Sequence, residues 1–370
     1  MKIPIIATSL VKFGDLWNKG INDLVKEIGQ KALKDANTGS SDVDSIYIAN
    51  EFSSIINGMS SLNSVVFEEL GIDNGICVNT GDASGAAAIK EAAASILSGQ
   101  NEITMVLGVE KLTDLKTDEV LSLSSNFISQ EESFVGATVH SQFAIMTKKY
   151  ISDFHLSPND LSFIPSSNHK NAINNEYAQY RFELAEEKIN ASQLFADPIR
   201  MFDLASYCDG AAALIMCSEE IAAKFSKKIK GYLLASSIAS DSLSLSRRNS
   251  ITAIESTIKA SEMVFKESRI NASDIDLMEI YDIAPISEIL AVEDIGFAKK
   301  GHGPDFIRKN LGKINLSGGL KACGHAIGPT GIRQAVDLLS RLRIRKLKYG
   351  LTQTLSGTGS CSIVNIFSRD

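Results

Sequence analysis

No stretch of this chain approaches the ~20 consecutive apolar residues that a membrane-crossing helix needs, so no such span is expected. Proline is scarce, 7 in 370 residues, and no low-complexity tract is present, which argues against a fibre or a disordered chain. Basic charge is not in excess either: the formal net charge is -7. Without a Lys/Arg stripe to neutralise phosphates, nucleic acid is not an expected partner. The one basic run, RLRIRKLK (Arg341 to Lys348), alternates its bases with leucine and isoleucine and reads as a helix end entering a strand, with a solvated face. The five cysteines, Cys77, Cys208, Cys217, Cys323 and Cys361, are odd in number and lack CxxC spacing, so neither a disulfide framework nor a zinc site is expected. Cys77 falls in the apolar run GICV, and it, Cys208, Cys217 and Cys361 read as inert core thiols. The opening MKIPIIATSLVKFG reads as strand and turn, not as a charged segment followed by a secretory apolar core. A soluble, cytoplasmic protein is the expectation.

The chain is long enough for two or more packed lobes, and it carries an internal repeat. LVKEIGQKALKDA, a helical pattern, precedes GSSDVDSIYIAN, a turn and an apolar strand; IESTIKASEMVFKESRI precedes NASDIDLMEIYD in the same way. Ser41-Asp42-Val43-Asp44 thus matches Ser273-Asp274-Ile275-Asp276. Farther on, ICVNTGDASGAAAIKEAAASIL with EITMVLGVE pairs with KINLSGGLKACGHAIGPTGIRQAVDLLSRL and KYGLTQTLSGTGS. Each is strand, glycine-rich turn, helix, strand. Helices alternating with buried strands imply an α/β fold whose parallel or mixed sheets are covered on both faces, with two central helices buried between lobes. Residues 112–200 are weakly periodic and rich in Ser, Asn and His; they read as a loop region inserted in the first lobe, the kind of excursion that carries binding or lid contacts. The expected division is 1–111 with 201–227 as the N-terminal lobe, 112–200 as the insertion and 228–370 as the C-terminal lobe.

Two places could carry chemistry. Asp82 stands at the mouth of the small-residue helix in NTGDASGAAAI; it is either a helix cap, for which Asp is well suited, or a functional carboxylate. His325 lies in NLSGGLKACGHAIGPTG among glycines, including Gly324, that let a ligand approach the backbone; the alternative is a satisfied core histidine. SGTGS (Ser356 to Ser360), with Gly357, could supply amide donors to a developing oxyanion or simply turn the chain into its last strand. No Walker lysine and no GxGxxG after the first strand supports a nucleotide-phosphate cradle.

The segments VKFGDLWNKGINDLVKEIGQKALKDA, NHKNAINNEYAQY, DPIRMFDLASYCDGAAALIM, EIYDIAPISEILAVEDIGFAKKG and NLSGGLKACGHAIGPTGIRQ together resemble the thiolase superfamily, in particular its sterol-carrier-protein-X branch and the archaeal acetoacetyl-CoA thiolases. The resemblance runs over nearly the whole chain. It implies a thiolase-like fold, two duplicated βαβαβ lobes forming a five-layer α-β-α-β-α sandwich, and an acetyl-CoA acyltransferase chemistry on a CoA thioester with no bound cofactor or metal. In the family a cysteine at the start of the first-half central helix takes the acyl group, a GHP-type histidine activates it, and an HDCF-type motif serves the Claisen step. Carried over by residue, His325 matches the GHP histidine with Ala326 in place of proline, Asp82 falls on the nucleophilic cysteine, and YDIA places Tyr281 at the motif histidine and Ile283 at its cysteine. His169 falls in a segment that borders the acyl pocket in relatives, or is a histidine bonding to backbone. Cys323, two residues before His325, is a weaker stand-in for the lost thiol. Lys299, Lys300, Arg247 and Arg248 are possible CoA-phosphate partners or merely solvated. Two readings stay open: an enzyme using Asp82 as general base with His325 and Tyr281 as donors in non-covalent enolate or retro-aldol chemistry, and a non-catalytic acyl-CoA-binding or scaffold subunit. The resemblance also implies a homodimer or homotetramer, and possible association with a small OB-fold partner and a hydroxymethylglutaryl-CoA synthase.

Overall fold

The computed structural model describes residues 2–225 and 228–370; the boundary expected at 227 lies outside the described residues. In chain order the first half runs β1 (Ile3–Leu10), α1 (Ile21–Ala36), β2 (Ser45–Ala49), β3 (Gly75–Val78), α2 (Ser84–Leu97) and β4 (Ile103–Glu110). The segment that follows contains α3 (Val139–Asp153) and α4 (Phe163–Ala172) before the chain returns as β5 (Gly210–Cys217). The second half runs β6 (Gly231–Ser240), α5 (Glu255–Ser268), β7 (Leu277–Ile280), α6 (Pro285–Asp294), α7 (Gly319–Cys323), α8 (Thr330–Arg345), β8 (Tyr349–Ser356) and β9 (Cys361–Ser368).

Nine strands form one sheet in the order β3-β2-β4-β5-β1-β6-β9-β8-β7, and Leu194–Ala196 pairs with Ile199–Arg200 in a separate two-stranded sheet. The two half-sheets join where β1 meets β6 antiparallel, Ile3 opposite Leu233, and each half mixes parallel and antiparallel neighbours. α1 packs on β1, β4 and β5, and α5 on β6 and β9. α2 and α8 pack on each other, α2 against β2 and β4 and α8 against β5, β7 and β8. The layers are therefore helix, half-sheet, paired helices, half-sheet, helix, as the sequence resemblance implied.

The duplication extends to hydrogen bonds. Asp44 Oδ2 accepts from the N–H groups of Glu102 (2.7 Å) and Ile103 (2.8 Å); Asp276 Oδ2 accepts from Lys348 (2.9 Å) and Tyr349 (3.0 Å). Each aspartate anchors the start of a strand's neighbour at the same place in its half. α2 and α8 meet at their N-terminal ends because the residues there are small: a Cβ on Gly85 would lie 2.6 Å from the Gly328 carbonyl oxygen, and one on Gly331 would lie 2.5 Å from the Ala86 nitrogen. Both helix mouths, with their unpaired N–H groups and positive dipole ends, thus converge on one spot.

Two expectations need revising. Cys77 is exposed rather than a core thiol, because β3 is the outermost strand of the sheet and a short edge strand leaves a flank uncovered. Residues 112–200 are more helical than their composition suggested. α3 is held by Thr138, whose side chain accepts from the Ser141 N–H (3.1 Å), and its Phe143, Met146 and Tyr150 join the second-half core. RLRIRKLK divides as expected, α8 ending at Arg345 and β8 opening at Tyr349.

Candidate active site

The carboxyl ends of the strands meet the mouths of α2 and α8 in one place. Asp82 lies between β3 and α2, Glu110 closes β4, Tyr281 follows β7, and Gly357 follows β8; crevices beyond the carboxyl ends of strands are where α/β sheets collect functional side chains. Asp82 Oδ1 is 2.8 Å from His325 Nε2, across 243 residues of sequence, and its Oδ2 accepts from the Gly357 N–H at 2.9 Å. His325 Nδ1 meets Thr330 Oγ1, in the first turn of α8, at 3.0 Å. Tyr281 Oη is 3.4 Å from the same Nε2. Asp82 is 1% exposed and His325 0%. The Asp82 side chain does not cap α2; it reaches across to the second half instead. That removes the simple capping account.

Around the pair, burial governs the electrostatics. Glu51 accepts from the Gly81 N–H (3.0 Å), and burial, then the Asp82 charge, pushes its carboxyl up to about 7. Glu110 accepts from the N–H groups of Phe52 (2.9 Å), Glu51 (2.9 Å) and Gly328 (3.2 Å), tying the first half to the glycine-rich turn of the second; burial pushes it up to about 8. Tyr207 stacks on the His325 ring with centroids 5.4 Å apart, and His140 meets Tyr207 edge-on at 6.0 Å. Burial, then the neighbouring His325, brings His140 down to about 4, so it is a neutral imidazole at neutral pH. Burial raises the Tyr281 and Tyr207 hydroxyls well above the usual phenol range, and both are donors rather than phenolates.

Residues 3–197 match the thiolase N-terminal domain and residues 237–369 the thiolase C-terminal domain-like family. The chain belongs to the thiolase family. It is 32% identical over 382 residues to the acetyl-CoA acetyltransferase of Methanothermobacter thermautotrophicus, covering 99% of each chain, and 33% identical over 387 residues to that of Methanocaldococcus jannaschii, covering 99% of this chain and 98% of the other. Among solved structures it shares its fold with a chain titled Ltp2-ChsH2(DUF35) aldolase, at a TM-score of 0.81, 18% identity and coverage of 98% and 97%.

Within this thiolase fold the other singled-out residues divide. His169 sits on α4 rather than in a loop; its Nδ1 meets the Phe182 carbonyl at 3.1 Å, its ring lies beside Tyr180 and Phe182, and burial lowers it to about 4. None of these contacts joins it to the Asp82–His325 pair. Gly324 has φ +93, and a Cβ there would lie 2.6 Å from Cys208 Sγ and 2.7 Å from Gln179 Oε1; protein side chains occupy the approach that the glycine was expected to leave for a ligand. Gly357 (φ +52) supplies the amide already bound to Asp82. Cys323 turns away, its thiol donating to the Ser317 carbonyl at 3.1 Å, and burial pushes it up to about 12, so it holds little thiolate at neutral pH. Arg248 is buried and donates to the Thr358 carbonyl (2.7 Å), and Lys300 donates to the Thr252 carbonyl (2.7 Å) and pairs with Asp294, whereas Lys299 and Arg247 are exposed. Glu51, Glu110, His140 and Tyr207 were missed in the sequence. Glu51 and Glu110 could have been found from the ends of the strands they follow or close; for His140 and Tyr207 no sequence signal exists, since only folding brings them to His325. Among the described residues no group of three or more His, Cys, Asp and Glu is gathered to hold a metal ion, and no helix is long and apolar enough to cross a membrane.

Proposed function

We propose that this thiolase relative binds a CoA thioester and acts on it without a covalent acyl intermediate. The observation that carries the reading is the Asp82 carboxylate, 2.8 Å from His325 Nε2, standing where the family resemblance sets a nucleophilic cysteine. A carboxylate is a poor nucleophile toward a thioester and its anhydride product is labile, so acyl storage is disfavoured. A positioned base beside hydrogen-bond donors suits enolate chemistry. In a retro-aldol step Asp82 takes the proton of a 3-hydroxyl and the Cα–Cβ bond breaks. Its electron pair moves onto the thioester, whose oxygen accepts from His325 and Tyr281, and the carbonyl product leaves before the enolate is reprotonated. The CoA-thioester assignment is supported by the acetyl-CoA acetyltransferase relatives. A homodimer or homotetramer, and a small OB-fold partner, remain part of this proposal.

The test is incubation with a 3-hydroxyacyl-CoA, with products separated by chromatography, alongside intact-mass measurement after exposure to acetyl-CoA. Cleavage that Asp82→Ala abolishes supports the reading. A stable acetyl adduct on a cysteine would restore covalent thiolase chemistry and overturn it. One observation favours a second reading, a non-catalytic acyl-CoA-binding subunit: both Asp82 oxygens are already engaged by His325 and Gly357 in a buried position. CoA-thioester binding with no turnover would support that alternative.

A further inference from the structure

The inserted segment reaches the meeting point of the two halves through one side chain. Gln142, on α3, is 1% exposed and uses both ends of its amide: Oε1 accepts from the Thr358 hydroxyl at 2.8 Å, and Nε2 donates to Glu132 Oε2 at 2.9 Å. Glu132 is itself held by the N–H groups of Leu245 (3.1 Å) and Ser246 (2.9 Å) and by the Ser244 hydroxyl (2.9 Å). Burial works to raise its carboxyl, yet these bonds bring it down to about 2, so it is a carboxylate at neutral pH and a fixed acceptor for Gln142. Thr358 is gripped from another side by Arg248, whose Nη1 donates to its carbonyl at 2.7 Å. The residue before it is Gly357, whose N–H meets Asp82 Oδ2 at 2.9 Å. Glycine is the residue least able to hold its own backbone, and this one has φ +52. Its neighbours hold it instead: a Cβ there would lie 2.5 Å from the Phe127 carbonyl oxygen, so the insertion presses on its backbone as well as bonding to the residue that follows.

We propose that Gln142 is a positioning residue: braced by Glu132, it fixes Thr358 and through it the direction from which the Gly357 N–H meets the Asp82 carboxylate. The inference rests on the reading of Asp82 as a general base, and it gives the inserted segment a part in that chemistry without contact to the reacting atoms. A general base acts only within hydrogen-bond reach of the proton it takes, and a small misplacement costs rate heavily. Asp82 turns one oxygen to His325 Nε2 and the other to the Gly357 amide. A turn free to rotate at Gly357 would release the second oxygen and let the carboxylate swing about its own axis. The path Glu132, Gln142, Thr358, Gly357 prevents that swing, running from the insertion through the second half to a first-half carboxylate.

The experiment compares, in the full chain, Thr358→Val, which keeps the shape and removes the hydroxyl, with Thr358→Ser, which keeps the hydroxyl. Gln142→Leu and the double variant of Thr358→Val with Gln142→Leu complete the set. Exchange of the α-protons of acetyl-CoA in D₂O gives kcat and KM. Thr358→Val and Gln142→Leu are each expected to lower kcat about tenfold, the upper scale of one hydrogen bond, with KM within about twofold of the wild type. Thr358→Ser should stay within about twofold of the wild type on both. The double variant should fall no further than either single one, because both break the same bond. A readout independent of turnover is amide hydrogen exchange by mass spectrometry over residues 355–360, expected to be about tenfold faster in Thr358→Val and Gln142→Leu than in the wild type and Thr358→Ser. Thermal melts check that the fold is kept. A loss in Thr358→Ser as large as in Thr358→Val, a change confined to KM, or additive losses in the double variant overturns the proposal. If the wild type exchanges no α-proton, the reading of Asp82 as a base fails and the catalytic part of this inference with it. Amide exchange then still decides whether Gln142 holds Gly357, and unchanged protection in the variants shows that it does not.

Discussion

Asp44 in the first half and Asp276 in the second do the same work, each receiving two backbone N–H groups at the entry to a neighbouring strand. Asp82 and His325, at the mouths of the paired inner helices, do unlike things and meet. The difference separates two kinds of constraint. The repeat preserves what each half needs for folding, a satisfied strand start and a small-residue helix mouth. It diverges where the halves face one another, the first contributing the carboxyl groups of Asp82, Glu51 and Glu110 and the second the donors His325, Tyr281 and the Gly357 amide. Duplication built the scaffold, and divergence gave the meeting point its polarity.

That contrast predicts a ranking of effects. The largest should come from splitting the cross-lobe pair. His325→Ala leaves the Asp82 carboxylate buried beside an empty space, and removing one member of a buried pair costs about 3–5 kcal/mol. Asp82→Asn keeps the shape and hydrogen-bonding reach and should cost about 1 kcal/mol or less. Urea unfolding of both variants measures the gap; equal small losses would mean that the pair does not couple the lobes. Next come the repeated anchors. Asp44→Ala and Asp276→Ala each remove an acceptor of two partly exposed N–H groups, for about 1–2 kcal/mol, and the same unfolding experiment should find them alike within about 0.5 kcal/mol. A large loss at one and none at the other would show that the halves no longer share their scaffolding.

The smallest effect is electrostatic. Glu51, pushed up to about 7 by burial and by Asp82, and Glu110, pushed up to about 8 by burial, hold protons in the folded chain that they would release above about 4.5 when unfolded. The folded state therefore binds more protons than the unfolded one between about pH 4.5 and 8, and stability falls as pH rises through that window. Glu51→Gln, which cannot ionise, should flatten the decline in melting temperature over this range. An unchanged slope would remove Glu51 from the site's electrostatics.

Much of the architecture was legible because its causes are local or periodic. The helix-then-capped-turn units around Asp42 and Asp274, and the small residues opening α2, announce themselves in sequence. Asp82 and His325 were also legible as separate sites of interest. Their bond was an inference from resemblance, since no periodicity relates residues 243 positions apart. Cys77 misled because an apolar run looks the same at the edge of a sheet as at its centre. The insertion misled through composition, for polar residues at the caps and outer faces of α3 and α4 masked the buried stripe that holds them. His140 and Tyr207 were invisible because only folding stacks Tyr207 on His325 and sets His140 against its edge.

Hydrogen–deuterium exchange at the α-carbon of acetyl-CoA in D₂O, followed by NMR for the wild type and for Asp82→Asn, addresses the role of the cross-lobe carboxylate most directly. The account predicts enzyme-dependent loss of the α-proton signal by the wild type and a fall of at least about a hundredfold in Asp82→Asn, the usual scale for removing a general base. Exchange that proceeds equally in both proteins would contradict it.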